Sequence, residues 1–263
     1  MTRVSRDKPA DCAVSEAIGF LLIFSIVIAG IGLVTLYAYP MLLQEQVSAD
    51  EKIMEKNMIV LQNDVKSLTY KTVPYKETSM KIGGGALTIH NSSSNGPSFR
   101  IYDSAGQVFL PENRTGELRY ESIKAQTAIS LQNGAVIKSR MYSSGSVMLA
   151  EPRWFYDEDT QTMTVNLVSF TSTELMAREG IGTIRMRLNS TDYQFKTGTD
   201  ISPPIYLDYT PDSENTYEAA WDNYFTKLDM TQVSTLPPTI TYRFPNSITT
   251  LVIKRTDIQI LAL

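Results

Sequence analysis

The most apolar part of the chain lies near its N-terminus. Residues Ala17 to Tyr39 include no charged side chain. As a helix rising about 1.5 Å per residue, roughly 23 residues span ~34 Å, which is enough to cross a hydrocarbon core of about 30 Å. A cleaved secretory signal has a shorter apolar region of about 7 to 15 residues. The pattern therefore predicts a membrane span at residues 17–39.

A second helical pattern follows this apolar run. Between Leu42 and Leu68, apolar residues recur at helical spacing while charged residues occupy the other faces; the stripe consists of Val47, Met54, Met58, Leu61, Val65 and Leu68. We predict one long helix over residues 13–69, bent near Pro40, with an amphipathic stalk at 42–68. The stalk either docks on its own domain, which its short repeat favours, or forms a separate coiled coil.

Beyond Thr69 the pattern changes to short stretches rich in β-branched and aromatic residues. Strands are predicted at 86–90, 98–102, 107–110, 117–120, 135–141, 163–170, 182–188 and 193–196, with two or three more in TITYRF and TTLVIKRTDIQILAL at the end of the chain. The predicted turns are HNSSSNGP, DSAG, PENRTG, QNG and DEDTQ. This spacing indicates an antiparallel sandwich-like domain over residues 70–263.

One amphipathic helix interrupts the strand pattern. Its aromatic face consists of Tyr217, Ala220, Trp221, Tyr224, Phe225 and Leu228, and Asn215 with Glu218 can form a capping pair. So wide a face is more typical of a core than of a ligand platform. The predicted fold class is α+β, mainly β: a long N-terminal transmembrane and stalk helix, followed by an antiparallel β-sandwich-like domain with one amphipathic helix.

The charges that flank the span predict its orientation. Arg3, Arg6 and Lys8 precede it, while Glu45 and Asp50 lie on its far side. The positive-inside rule then places the N-terminus in the cytoplasm and the β-rich domain outside the cell.

Small residues within the span are candidates for close helix packing: Gly19, Ser25, Ala29, Gly30 and Gly32. They would let a partner helix approach closely, although glycine is also common in membrane helices that have no such partner. Glu16 lies at the apolar boundary. It is either a first-turn acid that the helix dipole favours or a carboxylate that pairs with a neighbouring subunit.

Composition excludes several classes of function. The formal net charge is -4 and no basic cluster is present, which argues against a nucleic-acid partner. One cysteine, Cys12, cannot form an internal disulfide, and one histidine, His90, cannot supply a His-rich metal site. The glycine run at 83–85 lacks the Lys-Ser/Thr of a phosphate loop and is expected to form a bulge or allow a close backbone approach. We predict no cofactor and no enzymatic activity.

The densest acidic cluster is Asp157, Glu158 and Asp159. It lacks the ligand spacing and central glycine of an EF-hand loop, so a solvated hairpin turn is favoured over a calcium site. Three sequons begin at Asn91, Asn113 and Asn189, each in a predicted turn, and are candidates for glycosylation if the domain is external. About two sequons would arise by chance in a chain of this Ser/Thr content.

The segment AVSEAIGFLLIFSIVIAG, Ala13 to Gly30, resembles the N-terminal segment of archaeal type IV pilin-like proteins. The resemblance implies that a prepilin peptidase removes a basic leader, here residues 1–12, and that the helix then packs in a filament. Pro9 to Cys12 depart from the usual cleavage site, and Glu16 stands where many archaeal members carry proline. The stretch LQNGAVIKSRMYSSGSVMLAEPRWF resembles the ectodomain of the same group, which favours one continuous β-rich domain.

The leading expectation is a type IV pilin-like subunit at the cell surface, with a single membrane span and assembly into a filament through its helix. Its expected partners are membrane lipid, copies of itself or other pilin-like subunits, and prepilin peptidase. The alternative is an uncleaved single-pass envelope or binding protein that does not polymerise. An anchored ectoenzyme acting on glycans would need paired carboxylates, for which Asp157, Asp159 and Glu174 are the candidates.

Overall fold

The computed structural model describes residues 10–71, 73–94, 96–141, 145–212, 217–245 and 248–263, with side chains from residue 17 onward. The chain divides into two compact units, Met1–Ala49 and Asp50–Leu263. The first unit is helical in its described part, and the second contains all the described strands.

The N-terminal helix changes its winding just before Pro40. Helix α1 covers Ala10–Leu33, a π-helical turn covers Val34–Ala38, and helix α2 covers Tyr39–Tyr70. Pro40 has no N–H to donate to the carbonyl group of Leu36, and its ring would clash with that group in a regular helix. A π turn relieves this conflict. The irregularity that was expected as a bend near Pro40 therefore takes the form of a local change of winding.

Within its described residues, the second unit contains fourteen strands, one further α-helix and a short 3₁₀ helix at Gly198–Asp200. The strands are β1 (Tyr75–His90), β2 (Ser98–Asp103), β3 (Val108–Arg114), β4 (Glu117–Ser122), β5 (Thr127–Gln132), β6 (Ala135–Arg140), β7 (Ser146–Ala150), β8 (Phe155–Asp157), β9 (Thr162–Ser172), β10 (Ala177–Thr197), β11 (Ile205–Thr210), β12 (Thr231–Leu236), β13 (Thr239–Arg243) and β14 (Thr250–Ala262), and helix α3 covers Glu218–Lys227. The predicted class, α+β and mainly β with a long apolar N-terminal helix, is confirmed.

The strands form two sheets. The larger has nine strands in the order β7-β6-β5-β4-β1-β10-β14-β9-β8, and the smaller has five in the order β12-β13-β11-β2-β3. Most pairs are antiparallel, as predicted, but β14 pairs with β9 in parallel. A parallel neighbour requires a long crossover connection, and the chain between β9 and β14 provides one that contains β10 to β13.

Three layers follow from the alternation of side chains in the large sheet. In β9, Met163 and Val165 enter one core, while Val168 and Phe170 enter the other, on the opposite face. The first core also contains residues of the small sheet and α3. The second is closed by the part of α2 from Met54 onward.

The amphipathic stripe of α2 docks on its own domain. Five of its predicted members are buried: Met54, Met58, Leu61, Val65 and Leu68. This confirms the docked interpretation over a separate coiled coil. The compact β-rich unit consequently begins at Asp50, inside the predicted stalk, because these side chains supply one side of the second core.

Several strand boundaries differ from the prediction. The stretches predicted at 182–188 and 193–196 are one strand, β10, and β5, β7, β8, β11 and β12 were not predicted. The predicted turn PENRTG is wrong over most of its length, because Pro111 to Arg114 continue β3. Strand β3 is at the edge of its sheet, where a proline costs no ladder hydrogen bond.

The glycine run in β1 permits a close approach between two strands. The pairing register shifts between Ile82 and Leu87, which confirms the expected bulge. A Cβ atom on Gly85 would lie 2.1 Å from the carbonyl oxygen of Glu121 in the neighbouring strand. Only glycine can occupy this position without displacing the backbone.

Helix α3 confirms the predicted aromatic face. Ala220, Trp221, Tyr224 and Phe225 are buried and pack with Trp154 and Tyr209 in the first core, where the rings of Trp221 and Phe225 stack with centroids 5.4 Å apart. The predicted capping residue Asn215 lies outside the described residues, and Glu218 is the first helical residue.

Candidate membrane-facing helix and sites of the β-rich unit

The apolar part of the N-terminal helix is exposed on all sides. Among the described residues, one helix is long and apolar enough to cross a membrane, and no side chain of its apolar window is buried. Large apolar side chains are exposed along its whole length; Phe20, for example, is 70% exposed. Such a surface is incompatible with water and requires lipid or protein as its neighbour.

The aliphatic hydroxyl groups of the span, those of Ser25 and Thr35, are satisfied within the helix. Ser25 Oγ donates to the carbonyl oxygen of Leu21 at 2.7 Å, and Thr35 Oγ1 donates to that of Ile31 at 2.9 Å. These bonds matter in hydrocarbon because no water is present to pair a hydroxyl group.

The glycines of the span leave open space beside the helix. A Cβ atom built on Gly19, Gly30 or Gly32 would meet nothing within 4 Å. The described fold of a single chain therefore does not require glycine at these positions. Their predicted role in helix packing, with Ser25 and Ala29, remains a prediction. The side chains of Glu16 and Cys12 lie outside the described part of the structure.

The three sequons occupy different environments. Asn91 is partly buried and its Nδ2 donates to the carbonyl oxygen of Ser172 at 2.6 Å, so a glycan would have to be attached to an amide nitrogen that is already engaged. Asn113 lies in β3 rather than in a turn, with Nδ2 3.4 Å from Ser169 Oγ. Asn189 is exposed at the register shift of β10. Asn189 is therefore the sequon best placed to accept a glycan.

The acidic cluster forms the turn between β8 and β9, as predicted. Asp157 Oδ1 accepts hydrogen bonds from the backbone N–H groups of Asp159 and Thr160 at 3.0 and 3.2 Å. No group of three or more potential metal ligands occurs within the described ranges. His90 ends β1 and is only partly buried.

A buried ionic network was missed by the sequence analysis. Arg119 pairs with Glu117, lies 3.8 Å from Asp212 and 3.7 Å from Glu121, and is 3% exposed. Ser130 Oγ donates to the other oxygen of Glu117. The side chain of Asp212 also accepts a bond of 2.7 Å from the N–H group of Gly96.

Electrostatics make this network a structural link. Burial lowers the pKa of Arg119, but the charges of Glu117 and Asp212 outweigh it and raise the pKa, so the guanidinium stays charged. Burial raises the pKa of the nearby Tyr217 far above neutral pH. The network joins β4 of the large sheet to the segment after β11 of the small sheet.

Residues 12–261 match a protein family described as "Family of unknown function (DUF7289)". No curated protein and no solved structure matches the chain significantly.

Proposed function

The chain belongs to the DUF7289 family, whose function is unknown, and we propose that it is a membrane-anchored, type IV pilin-like surface subunit. In this proposal the N-terminal helix first holds the chain in the bilayer. The same helix can later pack against sister helices in a filament. The β-rich unit from Asp50 to Leu263 is carried on the outer side of the membrane.

One observation carries the proposal: the apolar window of the N-terminal helix has no buried side chain, although the rest of the protein has two well-filled cores. A helix that a protein uses for its own core would bury one face. This helix needs an external partner around its entire circumference, which either lipid or a bundle of sister helices provides.

The open glycine positions support the filament step. Lipid tails are as apolar as the helix, so helices associate in that environment through close packing rather than through the hydrophobic effect. Gly30 and Gly32 offer the space for such contact, because a Cβ atom at either position would meet no atom of the described residues within 4 Å. The resemblance of Ala13 to Gly30 to pilin-like segments points in the same direction.

The mature N-terminus tests the filament route against a permanent anchor. The experiment is intact-mass and N-terminal peptide analysis of the protein in membrane and sheared-filament fractions. Loss of a leader ending between Ala10 and Val14, together with the chain in the filament fraction, supports the pilin-like route. Retention of Met1 with the chain confined to the membrane supports the uncleaved tether instead.

The single cysteine allows the orientation to be tested. In a Cys12→Ser background, Ser190→Cys places a thiol on the exposed part of β10. A membrane-impermeant maleimide should label this variant in intact cells and should label a parent chain that retains Cys12 only after lysis. The reverse pattern would place the β-rich unit in the cytoplasm.

A further inference from the structure

A small cleft lies at the C-terminal end of α2. Its walls come from the last turns of α2, the turn between β5 and β6, the segment before β8 and the middle of β9. Counting the part that is open to solvent, the cleft has a volume of about 220 Å³, while the space open to the centre of a water molecule is about 10 Å³, the least that holds one water molecule. Its enclosed end therefore accepts one oxygen-sized atom of a ligand, and the rest of a larger group lies in the open part.

Positive charge is concentrated at this cleft without a compensating carboxylate. Lys66 and Arg153 line it, and Lys254 lies beside it with its ammonium group 4.7 Å from the centre of the Tyr70 ring. None of the ion pairs formed among the described residues involves these three cations. The concentration is unusual in a chain whose formal net charge is -4.

Lys66 and Arg153 contact neutral groups. Lys66 Nζ donates to Gln62 Oε1 at 3.0 Å, and the Arg153 guanidinium lies over the Tyr70 ring at 4.5 Å. Burial, followed by the charge of Arg153, lowers the pKa of Lys66. An anion in the cleft would offset both effects.

Two buried polar atoms of the residues that line the cleft have no hydrogen-bond partner within the described part of the chain: Asn133 Nδ2 and Thr69 Oγ1. Asn133 is 0% exposed, and its Oδ1 accepts a bond of 3.0 Å from the N–H group of Val168. That bond fixes the amide orientation, so the NH₂ group is the part left for a ligand. An unpaired buried donor is costly unless something binds to it.

We propose that this cleft binds a single phosphate or sulfate group. Arg153 and Lys66 supply the charge, with the guanidinium offering a planar pair of donors that matches two oxygens of an oxyanion. Asn133 Nδ2 and Thr69 Oγ1 supply neutral donors at the enclosed end. A dianion satisfies two uncompensated cations, so phosphate and sulfate bind more tightly than acetate or chloride. The site depends on neither the membrane span nor filament formation.

Isothermal titration calorimetry of the full chain in a neutral detergent tests the proposal with sodium phosphate, sulfate, acetate and chloride at equal ionic strength. We expect saturable binding of one phosphate or sulfate per chain and much weaker binding of acetate and chloride. Arg153→Gln and Lys66→Met should each weaken phosphate binding about tenfold, as expected for the loss of one charge-assisted contact. Lys56→Met, an exposed cation on the same helix, is the matched control and should change nothing.

Dimethyl phosphate distinguishes the sources of the group. If this diester binds as well as inorganic phosphate, the group belongs to a phosphodiester, as in a lipid headgroup; if only inorganic phosphate and sulfate bind, the ligand is a free ion or a monoester. Asn133→Asp adds a negative charge while keeping the Oδ1 acceptor, and should abolish binding in a folded chain. Equal affinity of the parent chain, Arg153→Gln and Lys66→Met, or binding that does not saturate, would overturn the proposal.

Discussion

The ammonium group of Lys254 donates a hydrogen bond of 2.6 Å to the backbone carbonyl oxygen of Thr69. Lys254 lies in β14, the last strand, and Thr69 lies in the last turn of α2. The final carbonyl groups of a helix have no partner within the helix, and a cation also interacts favourably with that end of the helix dipole. Lys254, near the C-terminus of the chain, therefore caps the C-terminal end of α2, a helix in the N-terminal part of the chain.

Removal of this contact should destabilise the β-rich unit. In Lys254→Met the Thr69 carbonyl group loses its charged donor, and we expect a loss of about 1–3 kcal/mol in the free energy of unfolding. Urea unfolding of the full chain in mild detergent measures it through the fluorescence of the buried Trp154 and Trp221. Lys124→Met, at an exposed turn position, should stay within about 0.5 kcal/mol of the parent chain. Equal stability of the two variants would contradict this role of Lys254.

Disruption of the buried network around Arg119 should lower the free energy of unfolding more than Lys254→Met does. Arg119→Met leaves Glu117 and Asp212 without their shared cation, and loss of one partner of a buried pair costs about 3–5 kcal/mol. The double variant Glu117→Gln/Arg119→Met should recover part of this loss because one uncompensated charge is also removed. A double-mutant cycle from the same urea curves gives the coupling energy. A change below about 1 kcal/mol for Arg119→Met would show that the network contributes little.

Acid should weaken one specific contact between α2 and the large sheet. Burial raises the pKa of Glu51, but its hydrogen bonds from Lys138 and Thr127 outweigh this effect and hold the pKa below 4.5. A lowered pKa in the folded state adds stability above the unfolded value, and this contribution disappears as the pH falls through the folded value. Glu51→Gln should therefore be less stable than the parent chain near neutral pH, with a gap that narrows below pH 4.5.

Melting temperatures at a series of pH values measure this gap. Glu158→Gln, at an exposed turn position, is the control and should show no such convergence. A gap between Glu51→Gln and the parent chain that stays constant from neutral to acidic pH would rule out the proposed ion pair as its cause.

The glycines of the span should affect assembly and not folding. Gly30→Leu and Gly32→Leu add side chains where the single chain has open space, so the amount of protein in the membrane should not change. Close packing between helices would be blocked, and we expect sheared-filament yield to fall while the membrane pool is kept. Ile28→Leu, an exchange at an exposed position, is the control. Normal filaments from both glycine variants would exclude these positions from the contact.

The helices that bury only one face were predicted correctly from the sequence. The stripe of α2 was recognised because only one face of that helix is buried, and α3 was recognised for the same reason. Strand β5 was missed because only its last four residues alternate, with Ile129 and Leu131 apolar and Ser130 and Gln132 polar. All six residues, Thr127–Gln132, are nevertheless buried, because the large sheet is covered on both faces.

Clusters assembled by the fold were beyond the sequence analysis. Glu117 and Arg119 have the composition of an exposed strand, yet both are buried, and Asp212 reaches Arg119 from a distant segment. The cleft likewise combines Lys66, Asn133 and Arg153 from three separate elements. Spacing along the chain contains no signal for either site, whereas the membrane span is a local property of consecutive residues.

We propose that residues 17–39 hold this chain in a lipid bilayer. Fractionation of the cells that produce it, followed by an alkaline carbonate wash and detergent extraction, measures this anchoring. We expect the full-length or leader-cleaved chain to sediment with membranes, to resist the wash and to be released only by detergent. Recovery of the same chain as a detergent-free, soluble monomer would contradict it.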